Sequence, residues 1–315
     1  MSNPPFLSAA DVHRLAPIGH VIEALRQAFA TPVNDPPRAI VDIARPSQPD
    51  RVFLAMPAAL DGAAGCKLIT LFPDNVAQGQ PAIQGIYVLF SARDGRVRAL
   101  VDGATLTRLR TPAASALATD YLASPTATTL GIFGTGIQAE AHIEAMLAVR
   151  PSIRSVVVTS RSAGRASEFA ASMTDRFGLA VQAGLAAEAA GSDIVCTCTT
   201  ASAALFVADQ LAPGAHVNAV GAFKPEHLEF GPDVVERSVV VVDDREAARA
   251  EAGDLIQAAA SGRWGWSDVS GDLVDLVNGR VNRDAQDVTL FKSVGLSIED
   301  LVVAKLAADL EGIAP

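Results

Sequence analysis

The chain is poor in several things, and each shortage removes a class of function. Of its 315 residues only three are cysteines, Cys66, Cys196 and Cys198. Three thiols make no disulfide framework, and a reducing, cytoplasmic setting fits them best. No Cys/His spacing has the four-ligand pattern of zinc, so no metal is expected. Basic residues are outnumbered, 25 Lys and Arg against 35 Asp and Glu, for a formal charge of −10. A nucleic-acid partner is therefore not expected, because phosphate contacts need a basic face. The opening MSNPPFLSAADV has neither a basic start nor a long apolar run, unlike a secretory signal. No apolar run reaches the roughly eighteen residues a spanning helix needs, so no membrane association is expected. No internal repeat or low-complexity stretch is evident.

What the chain has is apolar mass and one strong local pattern. Half of its residues are hydrophobic, enough for a large core and two domains of ordinary size. Thr128–Leu147, TTLGIFGTGIQAEAHIEAML, reads as an apolar strand (Leu130–Phe133), a glycine turn (Gly134-Thr135-Gly136) and a helix from Ile137–Gln138. This is the G-x-G-x-x-A form of the dinucleotide fingerprint. Gly134 permits the tight turn, Gly136 lets the backbone approach a pyrophosphate, and Ala139 lets helix and strand pack closely. The pyrophosphate would sit on the amides and positive end of the helix.

Around that stretch the elements fall into two groups. Ser8–Asp11 is a capping box opening a helix, and Ile18–Phe29 is an amphipathic helix. A proline-rich link leads to Arg38. Strands are predicted at Ala39–Ala44 and Val52–Met56 with a polar loop between them, then at Cys66–Phe72, Ile83–Ser91 and Val97–Val101, the last two joined by the turn Arg93-Asp94-Gly95. Helix Leu106–Leu122 is rich in small residues and stops before Pro125. From Thr128 strands and helices alternate: Leu130–Phe133, Ser155–Thr159, Leu179–Gln182, Asp193–Cys198, Ala215–Val220 and Ser238–Val242 are the strands. Cys196 and Cys198 alternate along one of them as packing residues. A last helix covers Ile298–Leu310. The fold class is α/β: a Rossmann-type doubly wound parallel sheet plus an α+β domain. The expected division is 1–120 with 296–315 for the second domain and 121–295 for the nucleotide domain.

The end of the second Rossmann strand bears on the cofactor. NAD-specific domains carry an acid there, about twenty residues after the glycines. Here the strand runs into Thr159-Ser160-Arg161-Ser162, with Arg165 behind and no acid before Glu168. Ser160 and Arg161 suit a 2′-phosphate, so NADP(H) is preferred and NAD(H) possible. The alternative is that Arg161 and Arg165 are solvated residues of a helix start; FAD is a further possibility in principle.

Chemistry needs a second surface. Lys67 leads the apolar stretch KLITLF. It is either a half-buried amine with a lowered pKa, able to transfer a proton, or a strand-end surface charge. Arg110, at the front of the small-residue helix, could clamp a carboxylate, and Arg38, after two prolines, is another fixed cation.

These residues join a longer pattern. Arg38 after a proline pair, Met56-Pro57-Ala58, Gly65-x-Lys67, Phe72-Pro73-x-Asn75, Asp102-Gly103, Leu109-Arg110-Thr111-x-Ala113-Ala114-Ser115, Gly134-x-Gly136-x-Gln138-Ala139, Asn218-Ala219-Val220-Gly221 and Phe291-Lys292-Ser293-Val294-Gly295 followed by Glu299-Asp300 occur in that order. Over nearly its whole length the chain resembles the ornithine cyclodeaminase/mu-crystallin family. The resemblance implies a Rossmann domain plus a substrate and dimerisation domain, and a homodimer. It implies chemistry at a carbon bearing nitrogen and carboxylate, on a small cyclic imino acid or an amino acid. Arg38, Lys67 and Arg110 would then bind the substrate, with Lys67 in proton transfer. Arg110, Thr111, Gly134, Thr135, Gly136, Ile137, Gln138, Ser160, Arg161, Thr199, Ala219, Val220 and Ser293 would meet the cofactor.

One departure matters. Cyclodeaminase-like members carry an aspartate after Asn-Ala-Val-Gly-x, where this chain has Phe223. A phenyl ring neither accepts a proton nor holds a side-chain ammonium. The expectation is therefore a ketimine reductase forming proline from Δ1-pyrroline-2-carboxylate or pipecolate from Δ1-piperideine-2-carboxylate. The alternatives are an ornithine cyclodeaminase, an alanine dehydrogenase-like activity, or a non-catalytic NADPH-dependent binder of the mu-crystallin kind.

Overall fold

A computed structural model describes residues 3–33, 35–44 and 51–314. The polar loop expected after Ala44 lies outside the described residues. The chain divides into two compact units, Met1–Arg110 with Leu296–Pro315, and Thr111–Gly295.

In the first unit a six-stranded sheet is built from β1 (Phe6–Leu7), β2 (Ala39–Asp42), β3 (Val52–Leu60), β4 (Ala63–Leu71), β5 (Ile83–Ser91) and β6 (Val97–Asp102), in the order β1-β6-β5-β4-β3-β2. Neighbours are antiparallel except β1 and β6, which are parallel. Pro57 interrupts the β3 sequence without ending the strand. β2 pairs only with Val52–Ala55, so Pro57 sits where β3 has one neighbour. β4 alternates, with Ala63, Gly65, Lys67 and Ile69 on the buried face. Helix Ile18–Phe29 buries Val21, Ile22, Leu25 and Phe29 as its spacing predicts. Helix Ser297–Leu310 packs on β3 and β4 and is buried over most of its surface.

In the second unit eight strands form a wholly parallel sheet: β7 (Thr129–Phe133), β8 (Ser155–Thr159), β9 (Ala180–Ala183), β10 (Ile194–Thr197), β11 (His216–Ala219), β12 (Ser238–Val242), β13 (Val269–Asp272) and β14 (Val288–Lys292). Their order is β13-β12-β14-β11-β10-β7-β8-β9. The six expected strands are present; β13 and β14 are additions, and β14 enters between β11 and β12. β10 ends at Thr197, so Cys198 lies just beyond the strand and half-buried. The small-residue helix begins at Gly103, three residues early, because the Asp102 side chain accepts from the Thr105 amide at 2.8 Å. Among the described residues no helix is long and apolar enough to cross a membrane.

The order of strands reverses between β7 and β10. That is the switch point at which open α/β sheets bind ligands, at the carboxyl ends of the strands. Gly131 in β7 has no room for a side chain: a Cβ there would lie 1.9 Å from the Ala189 carbonyl oxygen. Gly134, the next turn residue, has φ +111°, a conformation that favours glycine.

Candidate functional site

The second unit supplies a cleft of about 550 Å³ at the switch point. Gly134 and Thr135 line it from the end of β7, Ser160 and Arg161 from the end of β8, and Thr199 from beyond β10. Helix Ile137–Val149 starts at this cleft with Gly136 as its N-cap, and no side chain caps it. A Cβ at Gly136 would meet nothing within 4 Å. Uncapped first-turn amides beside open space suit the pyrophosphate of a dinucleotide. Arg165 also lines the cleft, and Ser162 does so while capping the following helix through a bond from the Arg165 amide. No carboxylate lines this end of the cleft.

The remaining residues expected at the cofactor take other positions. Gly136 and Ile137 are exposed and Gln138 half-buried, in the turn and first helical turn. Ala219 ends β11, and the Val220 amide donates to the Thr197 carbonyl at 3.2 Å. Thr111 is buried in the small-residue helix. Ser293 is buried too; its hydroxyl donates to Asp243 Oδ2 at 3.1 Å, and the amides of Val294 and Gly295 reach the same oxygen at 2.7 Å each.

The first unit supplies a cluster of buried charge. Lys67 is 1% exposed, in mid-strand and on the covered face, with Met56 and Tyr87 as its cross-strand neighbours. It is therefore not a surface charge at a strand end, and its burial is complete rather than half. Its Nζ lies 2.6 Å from Asp300 Oδ2 and donates to Thr107 Oγ1 at 3.1 Å. Arg110 pairs with Glu299 at 3.0 Å, and its Nε lies 3.7 Å from Asp300 Oδ1. Half-buried Arg38 is close enough for its charge to act on Lys67. Burial pulls the Lys67 pKa down to about 8; Asp300 opposes the drop, while Arg110 and Arg38 add to it. The Tyr87 hydroxyl is buried, and burial with the Asp300 charge pushes its pKa up. An amine whose pKa is drawn down to about 8, among guanidinium groups, suits proton exchange with an anionic substrate.

Sequence reasoning assigned no role to Glu299 or Asp300, although both stand in the quoted pattern. They occupy the first turn of helix Ser297–Leu310, where the helix dipole favours negative charge. Asp35 was also missed. Its carboxylate accepts from the amides of Ser297 at 3.1 Å and Ile298 at 2.7 Å, capping that helix. Asp35 precedes Pro36-Pro37-Arg38, so one short rigid segment caps the acid-bearing helix and carries a cation. The only local signal was an Asp followed by two prolines. Phe223 is half-buried and packs against the core of the second unit, its ring edge-on to His227 at 6.1 Å between centroids.

Known proteins share the sequence pattern and the fold. The chain is 33% identical to the ketimine reductase mu-crystallin of Rattus norvegicus, over 97% of each chain. The Thermococcus litoralis Δ1-pyrroline-2-carboxylate reductase, solved with NADH and L-proline, superposes with a TM-score of 0.92 at 31% identity, covering 99% of each chain. An archaeal alanine dehydrogenase dimer with bound NAD superposes with a TM-score of 0.90 at 28% identity, covering 98% of this chain and 95% of that one. The ornithine cyclodeaminase/mu-crystallin family matches residues 5–310, which takes in both the buried Lys67 cluster and the cleft beside the glycine turn, and the chain belongs to that family.

Proposed function

We propose that the protein reduces a cyclic ketimine, Δ1-pyrroline-2-carboxylate or Δ1-piperideine-2-carboxylate, to proline or pipecolate, with NADPH as the preferred donor. The observation that carries this reading is the buried Lys67 amine, 2.6 Å from Asp300 and with two guanidinium groups acting on it. Such a cluster holds a carboxylate and keeps a proton available in one place.

The carboxylate of the imino acid pairs with Arg38 and Arg110, which orients the C=N bond. Lys67 maintains the proton on the ring nitrogen, because the iminium carbon accepts hydride more readily than the neutral imine. Nicotinamide, when bound, supplies that hydride to the carbon. One hydride and one proton are taken up, and the ring nitrogen ends as a secondary amine. Asp300 keeps Lys67 charged, and Glu299 fixes the Arg110 fork. Phe223 in place of an aspartate speaks against cyclodeamination.

For the cofactor, the uncapped helix start would receive the pyrophosphate, and Ser160 and Arg161 the adenosine ribose with its 2′-phosphate. The reading also includes a homodimer and a reducing, cytoplasmic setting. Edge strand β2 leaves Ile40 and Val41 exposed, an apolar edge of the kind subunits cover. The three cysteines are free thiols.

A substrate panel followed at the nicotinamide absorbance tests the proposal. NADPH oxidation with Δ1-piperideine-2-carboxylate or Δ1-pyrroline-2-carboxylate is expected. Release of ammonia from ornithine without net NADPH consumption would point to the cyclodeaminase reaction, and neither activity to a binder. Light scattering on the purified protein reads the dimer.

A further inference from the structure

The second unit buries a charged triad whose members line no part of the cleft. Lys292, Asp254 and Glu229 are all fully buried. Lys292 Nζ lies 2.8 Å from Asp254 Oδ2, and Asp254 Oδ1 accepts from the Glu229 amide at 2.7 Å. The Glu229 carboxylate then accepts four hydrogen bonds. Oε1 takes the Thr199 amide at 2.9 Å and the Thr199 hydroxyl at 2.7 Å. Oε2 takes the Thr197 hydroxyl at 2.7 Å and the Gly221 amide at 2.8 Å. One side chain thus joins the segments that leave the ends of two neighbouring strands, β10 and β11.

The segment after β10 is a wall of the cleft, from Thr199 to Leu205. It carries little side-chain mass to hold it: Thr200, Ala201, Ser202, Ala203 and Ala204. Its bonds run back to the same place. Leu205 donates to the Glu229 carbonyl at 2.8 Å, and the Leu228 amide donates to Ala201 at 3.3 Å. The Thr199 hydroxyl also accepts from the Ala201 amide at 3.1 Å, closing the turn.

We propose that Glu229 is a positioning residue for the dinucleotide: its carboxyl group, anchored through Asp254 and Lys292, sets the wall of the cleft that runs from Thr199 to Leu205 and starts beside the glycine turn. A carboxyl group, with an acceptor at both oxygens, is required. Two of its four donors are backbone amides, one on each oxygen, that cannot reverse their role. A glutamine would turn an NH2 towards either Thr199 N–H or Gly221 N–H, so one amide would be left facing a donor. Burial pushes the Glu229 carboxyl pKa up, and Lys292 works against that rise.

The proposal rests on the reading of the cleft as a nicotinamide-dinucleotide site, and calorimetric titration of the full-length protein without substrate separates the two. If the wild-type protein binds neither NADPH nor NADH, the reading of the cleft fails. If it binds, Glu229→Gln is expected to weaken the Kd for NADPH about tenfold or more, the size associated with losing a hydrogen bond to a charged group. With saturating cofactor, kcat should change less than KM for NADPH. Should Glu229→Gln fail to fold, Thr197→Val and Thr197→Ser carry the test, since Thr197 is buried in β10 and lines no part of the cleft. The valine variant loses one donor to the carboxylate and should bind NADPH several-fold more weakly; the serine variant keeps the hydroxyl and should bind as the wild type does. Wild-type affinity in Glu229→Gln, or in Thr197→Val, would overturn the proposal.

Discussion

Each unit buries a lysine against an aspartate at nearly the same distance, 2.6 Å for Lys67 and Asp300 and 2.8 Å for Lys292 and Asp254. The surroundings differ in sign. Around Lys67 the further charges that lower its pKa are cationic, Arg110 and Arg38. Around Lys292 the next charge is another carboxylate, Glu229, whose pKa burial raises and Lys292 works to lower. Cations beside the Lys67 ammonium make its proton easier to release; Lys292 serves as an anchor for the carboxylate it pairs with. A buried ion pair is weak evidence for stability or for chemistry by itself, and the third and fourth charges decide which it serves.

The largest expected effects come from removing each lysine in turn. Lys67→Met should fold and lose about 10²–10⁴-fold in kcat/KM for the ketimine, the range for a positioned proton donor. Arg110 remains near Asp300 in that variant, so its melting temperature should fall little. Lys292→Met leaves Asp254 buried without its counter-charge and should cost about 3–5 kcal/mol of stability, read by thermal unfolding. If the two variants exchanged these outcomes, the contrast between the lysines would be wrong.

Asp300→Asn sharpens the contrast through pH. In the proposed mechanism Lys67 carries its proton, and with a pKa pulled down to about 8 it loses that proton as pH rises through about 8. Activity should therefore fall on the alkaline side. Asp300 raises the Lys67 pKa, so its removal should move the alkaline limb of the kcat/KM profile to lower pH, by about one unit or more. The other groups facing Lys67 are Arg110, Arg38, Thr107 and Tyr87. An unmoved limb would detach Asp300 from the proton.

Arg161→Ala should lower the NADPH-to-NADH ratio of kcat/KM about tenfold by removing one charge-assisted contact, with the NADH value nearly unchanged. The smallest effect is expected at Tyr87, whose buried hydroxyl has no hydrogen-bond partner among the described residues. Tyr87→Phe should leave the melting temperature unchanged or raise it slightly, by less than about 1 kcal/mol of stability. A clear drop would mean the hydroxyl is bonded in solution.

What could be read in the sequence was what is local or patterned. Gly134, Gly136 and Ala139 announce a strand, turn and helix because each residue type answers a steric demand of its immediate neighbours. Ser8 and Asp11 give a capping box whose two bonds, at 3.0 and 3.3 Å, span three residues. Elements that depend on distant partners were harder. Phe6–Leu7 is too short to carry a period and becomes a strand only by lying beside Leu100 and Val101. Phe291 and Lys292 belong to the quoted pattern, but the place of Val288–Lys292 between β11 and β12 is settled by neighbours far back in the chain. The site divides the same way. Lys67, Arg38 and Arg110 stand out as cations in apolar or proline-flanked settings. Glu299 reaches Arg110 across 189 positions, and Asp35 caps Ile298 across 263, distances over which a single sequence carries no signal.

The position of β14 also bears on how the polypeptide acquires its structure. The strand that lies between β11 and β12 is the last of its sheet to leave the ribosome. Until Val288–Lys292 has emerged, β11 and β12 each lack a partner along one edge, and the nascent sheet is two pieces with exposed hydrogen-bonding borders. Pairing of such high sequence separation is slow, because loop closure precedes any gain from contact. The remaining unit waits as well, since Leu296–Pro315 is part of it. Maturation of the sheet is thus gated by the synthesis of Val288–Lys292, and a chain interrupted before Val288 is expected to be a substrate for chaperones and proteases rather than a shorter working domain.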